Sequence, residues 1–183
     1  AAYLVGEVVE QDVKRGQSLL EQACSARILN ACHELGLRYF SGDVLEQDVK
    51  RGLALSEQAC NSGWQPACAN LGWLYFSGDG VEPDVERGLA LLEQSCSAGE
   101  QNACGHLGTA YLQGQGVEQD VERGLSLSKQ ACEDGDSNTC GTLGAAYLVG
   151  EVVEQDVKRG QSLLEQACSA RILNACHELG LRY

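Results

Sequence analysis

The fold is decided by one stretch of the sequence, residues 66–99, which read PACANLGWLYFSGDGVEPDVERGLALLEQSCSAG. Within it, Ala67, Leu71 and Tyr75 follow one another at intervals of four residues. That spacing predicts a short amphipathic helix from Pro66 to Phe76, because residues four apart lie on the same face of a helix. Proline also suits the first turn of a helix, where its missing N–H costs nothing.

A second helix is predicted after the glycine-rich turn at residues 77–80. Asp84 is placed to cap this helix, since its carboxylate accepts hydrogen bonds from the free amides of the first turn. Small and apolar residues then recur on one face from Val85 to about Ser97, and Gly99 marks the end of the helix. The stretch therefore predicts two antiparallel helices joined by a turn.

This pattern recurs every 36 residues along the chain of 183 residues. The repeated positions include aspartates, Arg-Gly and Leu-Gly dipeptides, tyrosines and five pairs of cysteines. One helix pair cannot bury its apolar face alone, so neighbouring pairs must stack. We therefore expect an all-α fold, in which residues 1–183 form a single α/α solenoid of five 36-residue units and each unit is an antiparallel helix pair.

The sequence also has a second, longer repeat period. Residues 1–39 are identical to residues 145–183, which sets a larger period of 144 residues. Three origins fit this identity: a very recent duplication, an engineered sequence, or a window cut from a long array. The chain also has no methionine, and it begins and ends within the same helix type. These features predict a window of a longer array, whose ends stack head to tail.

The paired cysteines and the repeat pattern together resemble a known family. The repeat is similar to the Sel1-like repeat, a relative of the tetratricopeptide repeat, and its cysteines to those of the secreted Helicobacter cysteine-rich proteins. The resemblance implies a right-handed α/α solenoid that serves protein–protein interaction or scaffolding. The chain departs from the pattern where Val8, Val44 and Val152 replace a turn glycine and where Arg27 and Arg171 replace a C-terminal glycine. The residues that carry the resemblance are Ala67, Cys68, Leu71, Gly72, Tyr75, Gly78, Gly80, Val81, Asp84, Gln94, Cys96 and Gly99.

Each cysteine pair joins the end of a second helix to the start of the following first helix, and a helical hairpin brings these ends together. Metal binding is the alternative, but zinc takes four ligands and each unit offers two. Ten cysteines in 183 residues favour disulfides in an oxidising compartment. We therefore expect a secreted protein, extracellular or periplasmic. The predicted disulfides are Cys24–Cys32, Cys60–Cys68, Cys96–Cys104, Cys132–Cys140 and Cys168–Cys176.

Gly72 and Gly88 lie inside the two predicted helices, where glycine costs about 1 kcal/mol relative to alanine. Both recur in every unit. Close helix approach is one explanation, because a Cβ atom at either position would push the helices apart. A hinge is the other explanation.

Two motifs resemble catalytic or metal-binding motifs, and each also has a purely structural explanation. Ser126 and Lys129 match the Ser-x-x-Lys motif of penicillin-recognising enzymes, with which the cysteine-rich branch has been associated, but no Ser-Asp-Asn or Lys-Thr-Gly accompanies them. Oxygen-bearing side chains occupy alternate positions at Asp134, Asp136 and Asn138, as at the start of a calcium-binding loop. The glycine and glutamate that follow later in such a loop are missing here. A solvated helix face and a helix connector explain both motifs. We expect no catalytic residue, no cofactor and no metal site beyond this weak calcium candidate.

Apolar residues in the connectors between units are candidate partner contacts, because other units carry polar residues there. Local packing over the disulfide is the alternative. A net charge of −13 disfavours nucleic acid as a partner, and no apolar run reaches the roughly 20 residues needed for membrane insertion. The candidate contact residues are Ile28, Leu29, Trp64, Ile172 and Leu173.

The leading hypothesis for function is structural. It describes a segment of a long, disulfide-stapled solenoid that forms an extracellular filament by head-to-tail association with itself. The alternative is a secreted scaffold or adaptor that binds other proteins. An enzyme that binds penicillin or hydrolyses β-lactams is a remote third hypothesis, and we expect no enzymatic activity.

Overall fold

The computed structural model describes residues 2–181, with side chains described from Asp12 onward. This part of the chain contains ten α-helices and no strand. It divides into two compact units, one ending at Asp84 and the other beginning at Val85. The all-α prediction and the antiparallel helix pairs are confirmed, whereas one continuous solenoid across both units stays a prediction.

The helices have nearly uniform lengths. In each unit, every helix packs against the next helix in the sequence. The predicted helices at residues 66–76 and 85–97 correspond to α4 and α5, with bounds that agree to within one residue. The first unit holds α1 (Ala2–Ser25), α2 (Leu29–Ser41), α3 (Val49–Asn61) and α4 (Gln65–Ser77). The second unit holds α5 (Val85–Ser97), α6 (Gln101–Gln113), α7 (Val121–Glu133), α8 (Ser137–Val149), α9 (Val157–Ser169) and α10 (Leu173–Gly180).

Aspartates immediately precede the second helices of the repeat, and three of them are seen as caps, whereas the cap predicted at Asp84 stays a prediction. The carboxylates of Asp48, Asp120 and Asp156 each accept a hydrogen bond of 2.9–3.0 Å from the backbone N–H three residues later. Such a bond satisfies one of the amides that the first helical turn leaves free. The first helices end on glycines with φ between 67° and 73°, namely Gly42, Gly78, Gly114 and Gly150.

The second helices end in a left-handed residue even where glycine is missing. Gly63, Gly99 and Gly135 have φ between 90° and 107°, whereas Arg27 and Arg171 occupy the same position with φ of 62° and 67°. A side chain in this region costs roughly 1–2 kcal/mol. The repeat therefore imposes the connector geometry, and the two arginines carry the strain.

The start of the chain departs from the predicted helix pair. Residues 2–25 form the single helix α1, so the turn expected around Val8 and the helix start expected at Asp12 are wrong there. The identical sequence at residues 146–169 does break, with α8 ending at Val149 and α9 beginning at Val157. Because α8 packs on both α7 and α9, its surroundings impose the turn. The local sequence itself is compatible with a continuous helix.

Paired glycines bring the two helices beside a turn close together. A Cβ atom on Gly36 would lie 3.0 Å from the carbonyl oxygen of Gly52, and one on Gly52 would lie 3.0 Å from that of Gly36. For Gly144 and Gly160 the corresponding distances are 2.9 and 2.8 Å. Close helix approach is thus the reason for these glycines. Gly72 and Gly88 lie in different units, and for this pair close helix approach stays a prediction.

One disulfide closes each repeat. The joined cysteines have Cα atoms 4.6–4.8 Å apart, and the described residues include no free cysteine. Cys132 and Cys140 belong to a buried cluster with Leu148, Leu164 and Ala167, so the crosslink is part of the core. The five bonds are Cys24–Cys32, Cys60–Cys68, Cys96–Cys104, Cys132–Cys140 and Cys168–Cys176.

Candidate functional site: the helix surfaces of the repeat

An apolar groove runs between consecutive first helices in the first unit. It lies between α2 and α4, where Leu37, Phe40 and Leu74 line it. Asp79 and Gly80, in the turn that follows α4, form one end of the groove. Its lining is mainly apolar, with Arg38 and Ser41 of α2 as polar members along the helix.

The second unit repeats this groove between α6 and α8. Leu112 and Val149 line it along the helices, and Val152 stands at the turn. Val149 is 55% exposed and Val152 is 37% exposed. Exposed apolar side chains that line a groove are typical of a surface that a partner covers. Neither Val149 nor Val152 is among the contact residues predicted from the sequence, because those were chosen from the connectors between units.

A second recurring surface feature is a cluster of tyrosine, arginine and glutamate, which we call the Tyr–Arg–Glu cluster. In the first unit, the Arg51 guanidinium lies 2.8 Å from the Glu21 carboxylate and 4.7 Å from the centre of the Tyr39 ring. Tyr39 comes from a first helix, Arg51 from the second helix after it, and Glu21 from the second helix before it.

The second unit has the same cluster at the same intervals. The Tyr111 hydroxyl donates to Glu93 at 3.4 Å, and the Arg123 guanidinium lies 3.7 Å from Glu93 and 4.1 Å from the Tyr111 ring centre. The glutamate carboxylate thus accepts from both a hydroxyl and a guanidinium. Such exposed pairs contribute little stability singly, but their recurrence shows a defined surface geometry.

Lys129 interrupts this series. It occupies the position of Glu21 and Glu93, and Arg159 lies 5.2 Å from the centre of the Tyr147 ring as in the other clusters. Lys129 was singled out in the sequence as part of a Ser-x-x-Lys motif. The structure places its partner in that motif, Ser126, on an exposed position of α7. The replacement of glutamate by lysine is visible in the sequence alone, since the equivalent residues of other repeats are Glu57 and Glu93.

The calcium candidates lie at the start of α8. One oxygen of the Asp136 carboxylate accepts from the backbone N–H of Asn138 at 3.1 Å, and the other accepts from the Thr139 hydroxyl. Asp134 is exposed, at the C-terminal end of α7. Asp136 is therefore used as a helix cap. Among the residues that the structure describes, no group of three or more metal-ligating side chains is found.

Two histidines are at least partly buried. The Asn70 amide lies 3.1 Å from Nε2 of His33, while Nδ1 of His33 is buried with no hydrogen-bond partner in the described chain. Burial lowers the pKa of His33, and the charge of Glu34 opposes that shift. Burial also lowers the pKa of His106, against the opposing charge of Asp136. Both imidazoles are thus favoured as neutral groups.

The candidate contact residues have different surroundings. Ile28 is 52% exposed and Leu173 is 78% exposed, whereas Leu29 and Trp64 are half-buried. Ile172 packs against the buried cluster around Cys132 and Cys140. These residues stay predicted contacts. Within the described residues, no helix is both long and apolar enough to cross a bilayer.

Comparison with known proteins matches the repeat pattern. A family model described as Sel1 repeat matches residues 1–27, 29–64, 65–100, 101–136 and 143–171. No curated protein sequence matches the chain. These matched segments extend over most of the chain.

Solved structures have the same fold. The chain is similar to a Sel1 repeat protein from Oxalobacter formigenes, with 24% identity, a TM-score of 0.79, and coverage of 98% of this chain and 76% of that chain. It is also similar to c5321, a protective antigen of uropathogenic Escherichia coli strains with an SLR fold, at 27% identity and a TM-score of 0.73. The match covers 90% of this chain and 35% of the antigen, so the chain spans about a third of that protein.

Cysteine-rich protein B of Helicobacter pylori is a third similar structure. It has 21% identity and a TM-score of 0.56, over 73% of this chain and 96% of that chain. At this level of identity the likeness concerns the fold alone.

Proposed function

The chain belongs to the Sel1 repeat family, and from this premise we propose that it is a secreted scaffold that binds other proteins. The groove between consecutive first helices carries this proposal, because it recurs in both units with a mainly apolar lining. Large exposed side chains such as Val149 give a partner apolar area to bury. The five disulfides indicate an oxidising compartment and hold each helix hairpin in a fixed geometry.

A groove variant tests the scaffold function. Val149→Asp combined with Val152→Asp should release proteins that the wild type retains from the extracellular fraction of its source. Leu19→Asp is the matched control, since Leu19 is 57% exposed but lies on α1 and does not line the groove. Retention that is equal for wild type and the groove variant would overturn the proposed surface.

A second proposal is the extracellular filament formed by head-to-tail association. It is supported by two copies of one sequence with different surroundings. A Cβ atom built on Gly141 of α8 would lie 3.9 Å from the Cγ2 atom of Ile172, so α8 covers Ile172. Ile28, which is the copy of Ile172 in the first 39 residues, is 52% exposed. A second copy of the chain that presents an α8-like helix would cover Ile28 as α8 covers Ile172.

Electron microscopy of purified protein tests the filament. Concentrated wild type should form elongated assemblies, and Ile28→Asp should shorten them because a carboxylate cannot be buried against an apolar cluster without a large desolvation cost. Val149→Asp serves as the control of similar exposure, since Val149 is 55% exposed and belongs to the groove between α6 and α8. Discrete short particles of the wild type at high concentration would contradict the filament and leave the scaffold proposal intact.

A further inference from the structure

We infer that Lys129, Tyr147 and Arg159 form a recognition site for a glutamate or aspartate side chain of a partner protein. The inference rests on the proposed scaffold function and adds the chemistry of one contact. The three residues come from α7, α8 and α9 of the second unit. They occupy the positions at which other repeats build the Tyr–Arg–Glu cluster.

In those other repeats the centre of the cluster is a carboxylate. The Tyr75 hydroxyl donates to Glu57 at 3.0 Å, and the Tyr111 hydroxyl donates to Glu93 at 3.4 Å. Arg123 adds a guanidinium 3.7 Å from the same Glu93 oxygen. The tyrosine follows the glutamate by 18 residues in both cases, and the arginine follows it by 30.

The same intervals place Lys129 with Tyr147 and Arg159. Here the acceptor is replaced by an ammonium group, and we infer from the equivalent positions that a lysine, an arginine and a tyrosine hydroxyl present donors to one place, where Arg159 already lies 5.2 Å from the centre of the Tyr147 ring. In the described part of the chain, the Tyr147 hydroxyl makes no hydrogen bond and neither cation forms an ion pair. The site therefore has the donors of the cluster, an added positive charge, and no carboxylate.

The neighbouring Asp156 does not supply the missing carboxylate of the cluster. The Asp156 carboxylate accepts from the backbone N–H of Arg159 at 3.0 Å, as the cap of α9. Asp48 caps α3 in the same way through the N–H of Arg51, although Arg51 also pairs with Glu21. Capping and the central carboxylate are thus separate functions, and at Lys129 only the capping carboxylate is present.

The surroundings favour a carboxylate carried by a protein. Arg159 is exposed and Lys129 is half-buried, so a partner has access to both. A free carboxylate at an open surface is bound only weakly by two screened cations. One that belongs to a protein docked on the same unit is held there by the other contacts. Lys129 is also the only lysine between Lys50 and Lys158, in a chain with a net charge of −13.

NMR titration of the isotope-labelled full chain tests the site. The probe is the peptide acetyl-Ala-Glu-Ala-amide, compared with acetyl-Ala-Gln-Ala-amide and with acetate. The glutamate peptide should produce saturable shifts at residues 129, 147 and 159, the glutamine peptide should not, and acetate should need a higher concentration. Lys129→Glu restores the residue found in the other repeats, so it should keep the fold and weaken peptide binding at least tenfold.

A second variant makes the opposite exchange in another repeat and controls for nonspecific effects of changing the charge. Glu93→Lys should create a second responsive site around Tyr111 and Arg123. Equal shifts in wild type and Lys129→Glu, or no response of residues 129, 147 and 159 to the glutamate peptide, would overturn the inference. Either result would leave the scaffold function standing, since that function is tested at the groove of Val149.

Discussion

At the scale of single residues, the left-handed connector makes a stability prediction. Arg171→Gly should stabilise the protein by about 0.5–1 kcal/mol, because relief of roughly 1–2 kcal/mol of backbone strain exceeds the extra chain entropy of glycine, about 0.5–1 kcal/mol. Chemical unfolding followed by circular dichroism measures this change. Gly135→Arg is the converse control, since Gly135 has φ of 107° and no atom within 4 Å of a built Cβ, and it should destabilise the protein.

The lowered pKa of His33 leads to a prediction of how the free energy of unfolding depends on pH. Burial lowers its pKa in the folded state, so below the ordinary histidine value the unfolded chain binds more protons than the folded one. Stability should therefore fall as pH decreases from about 7 to 5. Burial raises the pKa of Glu100, and that group opposes the fall, because its contribution is lost as pH rises.

Thermal unfolding at several pH values separates these contributions. His33→Gln should reduce the loss of stability between about pH 7 and 5, and His106, whose pKa burial also lowers, should account for part of the loss that remains. His177→Gln, which changes the copy of the same residue at an exposed position, is the matched control. An unchanged slope in His33→Gln would show that other groups set the acid dependence.

At the scale of helix pairs, two glycines with identical flanking sequences give opposite predictions. A Cβ atom on Gly160 would lie 2.7 Å from the Leu148 Cγ atom and 2.8 Å from the Gly144 carbonyl oxygen. Gly160→Ala should therefore cost roughly 1–3 kcal/mol. Gly16 has no described atom within 4 Å of its built Cβ, so Gly16→Ala should gain up to about 1 kcal/mol of helix propensity. Urea midpoints of the two variants that shift in the same direction would contradict this packing role.

The helix pairs also show what the sequence could predict. Apolar spacing and the aspartate cap located α4 and α5 to within a residue, because short-range physics decides both. The merged helix α1 could not be predicted, since the same residues turn at residues 150–156 under the influence of packing helices. The Tyr–Arg–Glu cluster joins residues 30 apart, and its geometry requires coordinates. Its exception at Lys129 needed only a comparison of repeats.

At the scale of the whole molecule, ionic strength separates the two kinds of association proposed for this chain. Copies with a net charge of −13 repel one another, whereas the contacts proposed for Ile28 are apolar. Raising salt from about 0.01 M to 1 M shortens the screening length from about 30 Å to about 3 Å. Self-association measured by sedimentation velocity should therefore increase with salt. Recognition of a glutamate peptide at Lys129 should weaken over the same range, because screening removes its attraction. Self-association that instead falls with salt would show that ion pairs, and not apolar helix faces, join the copies.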